Sequence, residues 1–371
     1  MDCFLRKIMR ILYLKLYQYR NYETLELTPH ERLTVLLGRN AQGKTNVLEA
    51  IELCATGRSH RTARDIQMIQ REKEMAYIRL DAEQKNVNRR IEIRMAKNKG
   101  KQIKIDGVSI SRMGELMGCF HAVMFSPEDL RLVKEGPSER RRFMDIELSQ
   151  IFPVYFYALS NYLHANQNRN ILLKSLQRGV QDKGQLRVWD EQLAHHGAQI
   201  YMQRKAFMES LSQIVRDVHG RLSDGKEHLQ LFYDSDIDAA NEEEAKKAIM
   251  DLLNEQRYED IRRGVTQKGI HRDDIGMTLN HMDVRSYASQ GQQRTVALAM
   301  KISELYVMRD WLGEAPVFLL DDVLSELDDR RQNLLLETTR DFQTFLTTTH
   351  WNHQMEGDIY MVVEGRLEKM Q

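Results

Sequence analysis

Two halves of one phosphate-binding arrangement stand at opposite ends of this 371-residue chain, and that separation restricts the fold more than any other feature. Gly38-Arg39-Asn40-Ala41-Gln42-Gly43-Lys44-Thr45 fits the phosphate-loop pattern at every fixed position. It follows the apolar run Leu33-Thr34-Val35-Leu36-Leu37 and precedes a stretch of helical composition over residues 45–53. Strand, glycine loop and helix form the context that such a motif requires. Far downstream come Ser289-Gln290-Gly291-Gln292-Gln293-Arg294, and then Val317-Phe318-Leu319-Leu320 running into Asp321-Asp322. Chain ends that serve one pocket must fold back together, so the residues between them are an insertion into a single α/β domain. The expected division is residues 1–126 and 265–371 as the two halves of the domain, with 127–264 as a mainly helical lobe.

Local patterns fill in this outline. Residues 11–16 and 22–27 read as strands, and residues 77–105 alternate as in an antiparallel meander. His121-Ala122-Val123-Met124-Phe125 is a short buried strand closed by Ser126-Pro127. Residues 127–260 read mostly as helix. There Leu193, Ile200, Phe207 and Ile214 recur every seventh residue, with Leu211 and Val218 in the companion seam. This describes either a short coiled-coil-like hairpin or an amphipathic core helix. Gly197 and Arg204 occupy seam positions where apolar residues belong. Strands resume over 275–279, with a turn at Asn280-His281. A helix over 292–311, the apolar strand 316–320, a helix over 328–337 and strands 344–348 and 359–363 follow.

The chemistry of the motifs is specific. Bare backbone N–H groups of Gly38–Thr45, at a helix N-terminus, converge on phosphate oxygens, and the helix dipole adds to the attraction. Lys44 is placed to reach β- and γ-phosphates, and the Thr45 hydroxyl to bind Mg²⁺. Asp321 leaves the C-terminal end of a central strand, where α/β proteins bind ligands, and holds Mg²⁺ opposite Thr45. Asp322 then orients or activates the attacking water. Ser289 reads as the N-cap of a helix, and with Gly291 and Gln292 it offers a second phosphate-binding surface.

Composition excludes several classes. Fifty-four basic and 54 acidic side chains give a formal net charge of +0, so nucleic-acid binding must come from local clusters. No run approaches the length of a membrane span. The opening residues Met1 to Ile8 lack the apolar core of a secretory signal, and Met9 is an alternative start. Cys3, Cys54 and Cys119 have no C-x-x-C spacing and read as buried or free thiols of a reducing cytoplasm. His195-His196 and the other histidines lack companions at ligand spacing, so no metal other than Mg²⁺ is expected.

Phosphate loop, late S-x-G-Q-x-R motif and the run Phe318-Leu319-Leu320-Asp321-Asp322-Val323-Leu324-Ser325-Glu326-Leu327-Asp328 together resemble the ABC-type ATPases of DNA maintenance. Within that group the chain is similar to the RecF family of bacterial recombination mediators. Asn46-Val47-Leu48-Glu49-Ala50-Ile51, residues 56–62, residues 125–130, Pro137-Ser138-Glu139-Arg140-Arg141-Arg142-Phe143 and His271-Arg272-Asp273-Asp274 carry the same resemblance. It implies an ABC-type ATPase head split by a helical lobe. It also implies a homodimer in which ATP on Gly38–Asn46 of one copy is capped by Ser289 and Gly291 of the other. Residues 325–328 fall where such enzymes have the D-loop, residues 125–130 where they have the Q-loop, and Thr349 or His350 at the switch position. Ala41 and Ile270 depart from the family's pattern, standing where Gly and Pro are common.

The family role so implied is ATP-gated binding of double-stranded DNA and single-strand/duplex junctions, loading of recombinase at gaps, and slow DNA-stimulated hydrolysis. RecO and RecR are the implied partners, in the bacterial cytoplasm at the nucleoid. Arg58, Arg61 and Arg64 beside the first helix, and Arg140, Arg141 and Arg142, are the basic clusters available for phosphate contacts. An arginine triplet on a helix equally describes a solvated face, and Arg58 equally suits nucleotide. The rival readings are a DNA adaptor that uses ATP only to dimerise and a transporter-type ABC ATPase subunit. The latter keeps its motifs closer together in a shorter domain.

Overall fold

The computed structural model describes residues 8–179 and 183–370, so Cys3 and the other opening residues lie outside the described residues. In chain order the main elements begin with β1 (Arg10–Tyr19), β2 (Tyr22–Leu27), β3 (Leu33–Leu37) and α1 (Lys44–Thr56). Next come β4 (Met75–Gln84), β5 (Val87–Ala96), β6 (Gly100–Ile105), β7 (Val108–Ser109) and β8 (Ala122–Phe125). The helices α2 (Arg131–Lys134), α3 (Pro137–Ile151), α4 (Pro153–Gln177) and α5 (Lys183–Leu222) follow. Then come β9 (Leu229–Asp234), α6 (Glu242–Arg263), β10 (Asp274–Leu279), β11 (Met282–Asp283), α7 (Val284–Tyr287) and α8 (Gln290–Leu312). The last elements are β12 (Val317–Asp321), α9 (Asp329–Thr338), β13 (Thr344–Thr348), β14 (Asp358–Val363) and β15 (Arg366–Lys369). Two compact units result: the chain up to Leu130 together with the chain from Ala297 onward, and Arg131–Val296.

The first unit is built on two six-stranded sheets. One has the order β15-β14-β3-β13-β12-β8, in which every neighbouring pair is parallel except the edge pair β14–β15. β12 and β13 are buried along their whole length, which is why these strands read as unbroken apolar or Thr-rich runs. The other sheet, β2-β1-β4-β5-β6-β7, is antiparallel, and β4 alternates buried and half-buried residues as expected of a sheet with one covered face. Val47, Leu48, Ile51 and Leu53 of α1 join Leu14 and Leu16 of β1, Ile91 and Ile93 of β5, Leu319 of β12 and Phe345 of β13 in one apolar cluster. α1 is buried on most of its surface, as a helix at the centre of a core must be. Burial pushes the Cys54 thiol far above its ordinary range, so it stays a neutral packing residue.

The strand order positions the site. β13 lies between β3 and β12, with Thr347 in register with Leu36 on one side and Asp321 on the other. The phosphate loop and Asp321 therefore leave the C-terminal edge of the same sheet, two strand spacings (about 10 Å) apart.

In the second unit α5 packs against both α4 and α6, so the seven-residue seam lies in a helical layer and not in a two-helix hairpin. Leu193, Ile200, Phe207 and Leu211 are fully buried, each contributing about 1.5–3 kcal/mol relative to exposure. The two irregular seam positions have physical causes. A Cβ on Gly197 would lie 2.9 Å from Ile249 Cδ1 and 3.3 Å from Tyr162, so the helices approach too closely there for a larger residue. Arg204 is buried but fully engaged, donating to Tyr155 Oη (3.0 Å), Asp145 (2.8 Å), Asp273 (3.3 Å) and the Ile270 carbonyl (2.8 Å).

Two expectations are corrected here. Residues 229–234 form strand β9 inside the region read as helical. Moreover, β9 pairs antiparallel with β10 from Asp274↔Asp234 to Leu279↔Leu229. That pairing groups residues 265–296, including the start of α8, with the lobe, whereas the sequence reading ended the lobe at 264. A six-residue strand whose partner lies 40 residues away leaves no local pattern strong enough to fix a boundary.

Candidate active site

The loop between β3 and α1 is shaped by close backbone approaches. Gly38 N–H donates to the Thr348 carbonyl (3.2 Å), and a Cβ on Gly38 would lie 2.5 Å from the Val362 carbonyl oxygen. Gly43 has φ 112°, and a Cβ there would strike the Asn21 amide at 2.5 Å. Gly43 is also the N-cap of α1 and supplies no side-chain cap, so the first helical N–H groups are left to the loop. Arg39, Asn40 and Ala41 are exposed, Gln42 is half-buried, and Ala41 adopts φ 64°, which explains the family preference for Gly at that position. Lys44 Nζ folds back to donate to the carbonyls of Gly38 and Arg39, the latter at 3.0 Å. Burial pushes its ammonium pKa down, against the opposing charges of Asp322 and Asp321.

Thr45 and Asp321 meet, as the two motifs require. Thr45 Oγ1 donates to Asp321 Oδ1 at 2.9 Å, and Thr347 Oγ1 donates to the same oxygen at 2.7 Å. Asp322 follows with φ 53°, held by its own N–H to the Thr347 carbonyl (3.2 Å) and hydroxyl (3.0 Å). This left-handed turn is strained for a non-glycine residue and re-aims the carboxylate away from the strand. Asp322 Oδ1 is buried and has no hydrogen-bond partner. Its pKa is raised, first by burial, with Lys44 opposing and Asp321 and Glu326 adding to the rise. A buried acceptor without a donor is costly and calls for a ligand at that place.

Several contributors have partners that no sequence motif names. Asn21, in the tight β1–β2 turn, donates to the Gln42 carbonyl (2.8 Å) and accepts from Asn46 Nδ2 (2.8 Å), bracing the loop from outside. Tyr22 Oη donates to the Gly43 carbonyl (3.1 Å), and the Gln42 side chain accepts from Glu364 N–H (2.7 Å). Glu49, fully buried on α1, holds Arg20 through bonds of 2.8 and 2.5 Å and Ser59 at 2.5 Å. Burial pushes the Glu49 carboxyl up, but the bonds from Arg20 and Ser59 more than offset this and its pKa ends below the usual range. Asn and Glu at these points read as turn and helix residues, and only tertiary contact reveals their targets.

Around this centre Arg61 donates to Asn46 Oδ1 at 2.8 Å, while Arg58 and Arg64 are exposed. Lys101 Nζ fastens this arginine segment from β6, bonding the Gly57 carbonyl (2.8 Å) and Asp65 (3.0 Å). At the Q-loop position Glu128 is exposed, but Asp129 turns inward to accept from Ser126 N–H (2.7 Å), and burial raises its pKa. Thr349 is half-buried and His350 exposed after β13.

In the second unit Ser289 and Gln292 form a reciprocal cap at the start of α8. Ser289 Oγ accepts from Gln292 N–H (3.3 Å), and Gln292 Oε1 accepts from Ser289 N–H (2.8 Å). Ser289 and Gly291 are exposed, and a Cβ on Gly291 would meet nothing within 4 Å, so the motif presents an open surface. The Arg140–Arg142 cluster is corrected. Arg140 is buried, with two bonds to Asp274 (2.6 and 2.7 Å) and two to the carbonyls of Leu132 and Glu135. Arg141 is half-buried and donates to the Asp273 carbonyl at 2.7 Å, and only Arg142 is exposed. The arginines that the triplet contributes to folding are thus spent internally, because α3 packs on β10.

The residues present suit a nucleoside triphosphate with Mg²⁺. Gly43 leaves the first N–H groups of α1 without a side-chain cap, Thr45 and Asp321 offer paired oxygens to a hard cation, and Lys44 supplies a buried cation. Among the described residues no other group of His, Cys, Asp and Glu could hold a metal ion, and no helix is long and apolar enough to cross a membrane.

Comparison with known proteins agrees with this geometry. The family model RecF/RecN/SMC N terminal domain matches residues 10–365. The DNA replication and repair protein RecF of Lachnoclostridium phytofermentans is 42% identical over 361 residues, covering 96% of this chain and 98% of that protein. RecF of Alkaliphilus oremlandii is 43% identical, covering 91% and 92%. A solved structure of the recombination mediator protein RecF-ATP in the RecFOR pathway superposes with a TM-score of 0.92 at 34% identity, covering 100% of both chains. The Smc head domain of Pyrococcus furiosus, at 15% identity and a TM-score of 0.56 over 98% and 96% of the two chains, shares the fold alone. The fold is accordingly that of an ABC-type ATPase head with an inserted, mainly helical lobe, and the chain belongs to the RecF family of DNA replication and repair proteins.

Proposed function

We infer that this chain is an ATP-dependent, DNA-binding recombination mediator, which closes as a homodimer on DNA when loaded with ATP and reopens after slow hydrolysis. The observation that carries the reading is the buried, partnerless Asp322 Oδ1 beside the Thr45–Asp321–Thr347 network. ATP with Mg²⁺ supplies the γ-phosphoryl group. Residues Gly38 to Asn46 bind the phosphates through backbone N–H groups, and Lys44, released from the Gly38 and Arg39 carbonyls, neutralises their charge. Thr45 and Asp321 hold the cation, with Thr347 fixing the Asp321 carboxylate. Asp322 accepts a hydrogen bond from a water and orients it in line, and its raised pKa fits a group that takes up the water's proton.

Ser289 keeps its hydroxyl proton free to donate, since its oxygen already accepts from Gln292 N–H. With Gly291 it offers that proton and a backbone N–H to nucleotide on a second copy. ATP then favours the closed dimer through bonds made only in that state. Exposed Arg58, Arg61, Arg64 and Arg142 give sequence-independent contacts to the backbone of duplex DNA and of single-strand/duplex junctions. RecO and RecR are the partners suggested by the RecFOR pathway in which the solved RecF structures are placed, and the bacterial cytoplasm is the site of action.

Light scattering with ATP, with and without duplex DNA, tests the reading. Wild type is expected to double in mass with ATP and Ser289→Arg to remain monomeric. A Ser289→Arg protein that still dimerised would remove the capping role.

A further inference from the structure

The carboxylate of Glu227, in the loop between α5 and β9, is joined to the Ser289 cap of the same unit through one side chain. Gln292 Nε2 donates to Glu227 Oε1 at 2.7 Å, while the other end of the same amide, Gln292 Oε1, accepts from Ser289 N–H at 2.8 Å. An amide has one accepting and one donating end, so the two bonds fix its orientation jointly. Turned over, the amide would set its NH₂ against the Ser289 N–H and its oxygen against a carboxylate. Both contacts would be repulsive. A carboxylate only accepts, so Glu227 tolerates one orientation alone.

Glu227 is itself held. The next residue, His228, donates its N–H to Asn280 Oδ1 (2.9 Å) and accepts from Asn280 N–H at its carbonyl (3.0 Å), which ties the loop to the β10–β11 turn. The second Glu227 oxygen lies 3.6 Å from Nε2 of His219, a fully buried side chain near the end of α5. Glu227 is half-buried, so the bond to Gln292 is screened less than one on an open surface.

We propose that Glu227 is a positioning residue for the Ser289–Gln292 motif: it locks the Gln292 amide, which sets the Ser289 backbone and leaves Gly291 open for a phosphate of a second copy's nucleotide. This rests on the capping role of Ser289 given above. Residues 221–260 have no part in the motifs that carry the family resemblance, so Glu227 has no role by that route.

The test compares wild type, Glu227→Ala, Glu227→Gln, Gln292→Ala, the double variant Glu227→Ala/Gln292→Ala, and Ser289→Arg. Two quantities are read: the ATP concentration that half-saturates dimerisation, and binding of a fluorescent ATP analogue by dilute monomer. Glu227→Ala is expected to raise the first about tenfold, the loss of one hydrogen bond to a charged acceptor, and to leave the second unchanged. Glu227→Gln, whose amide oxygen still accepts, recovers most of the loss. In the Gln292→Ala background the Glu227→Ala change adds nothing, whereas a purely structural role through His219 would add the same loss again. Equal losses in both backgrounds overturn the proposal. So does a Glu227→Ala protein that dimerises like wild type while Ser289→Arg does not. If Ser289→Arg dimerises with ATP, the capping reading itself falls, and the positioning role with it.

Discussion

Replacing Asn21 by Ala isolates the contribution of a residue outside every motif to nucleotide binding. Asn21 makes two bonds to the phosphate loop, donating to the Gln42 carbonyl and accepting from Asn46 Nδ2, both at 2.8 Å. Its amide also occupies the space beside Gly43. Each bond contributes about 1 kcal/mol net, so the loop loses about 2 kcal/mol of support. The loop carries the N–H groups that receive phosphate, so this cost appears as nucleotide affinity, about 30-fold weaker than wild type. Asn46→Ala removes one of the two bonds, worth about fivefold, and also the acceptor of Arg61, so the double variant should equal Asn21→Ala plus only that second loss. Asn21→Asp keeps the acceptor but adds an anion near the phosphates, so it should bind worse than Asn21→Ala at low salt and recover partly at high salt. Titration with a fluorescent ATP analogue, beside thermal melting, measures all four. Binding within about twofold of wild type by Asn21→Ala, with melting unchanged, would refute the idea that loop preorganisation depends on this turn.

Other changes test neighbouring claims. Asp322→Asn should lower turnover by about 100-fold or more while ATP-dependent dimerisation persists, as measured by phosphate release and light scattering. The raised Asp322 pKa favours its protonated form in the folded state, so that contribution to stability is present below the unfolded pKa and lost as pH rises through the folded one. Asp322→Asn should therefore melt at a higher temperature than wild type near pH 7, with the difference closing in acid. Arg140→Ala breaks a buried pair with Asp274 and should destabilise by about 3 kcal/mol in denaturant unfolding, whereas Arg142→Ala should leave stability unchanged and reduce the salt dependence of duplex DNA binding by about one unit of slope. Ala41→Gly relieves the left-handed strain at φ 64° and should stabilise the loop by about 1 kcal/mol, seen as tighter nucleotide binding.

Much of the head could be read from local pattern. β3, α1 and β12 lie where apolar runs and the glycine loop place them, and the antiparallel meander of β4, β5 and β6 follows its alternation. β9 is not legible locally because a half-exposed strand of six residues between helices has no partner nearby in sequence. The seam of α5 was visible, but Gly197 and Arg204 were explained only by the helices and acids that surround them. The Arg140–Arg142 triplet shows the same limit, since three identical side chains at successive helical positions face three different environments.

By itself the sequence determined the chemistry and the requirement that the chain ends meet. A phosphate loop needs particular φ angles and bare N–H groups, and these are encoded within eight neighbouring residues. Tertiary structure alone decided which polar groups remain available. The insertion of β13 between β3 and β12 gives Asp321 two hydroxyl donors and leaves an Asp322 oxygen with none. It also decided that Asn21 braces the loop and Glu227 the cap. The reason is that a hydrogen bond is a relation between two groups, and where they come from distant parts of the chain only packing chooses the pair.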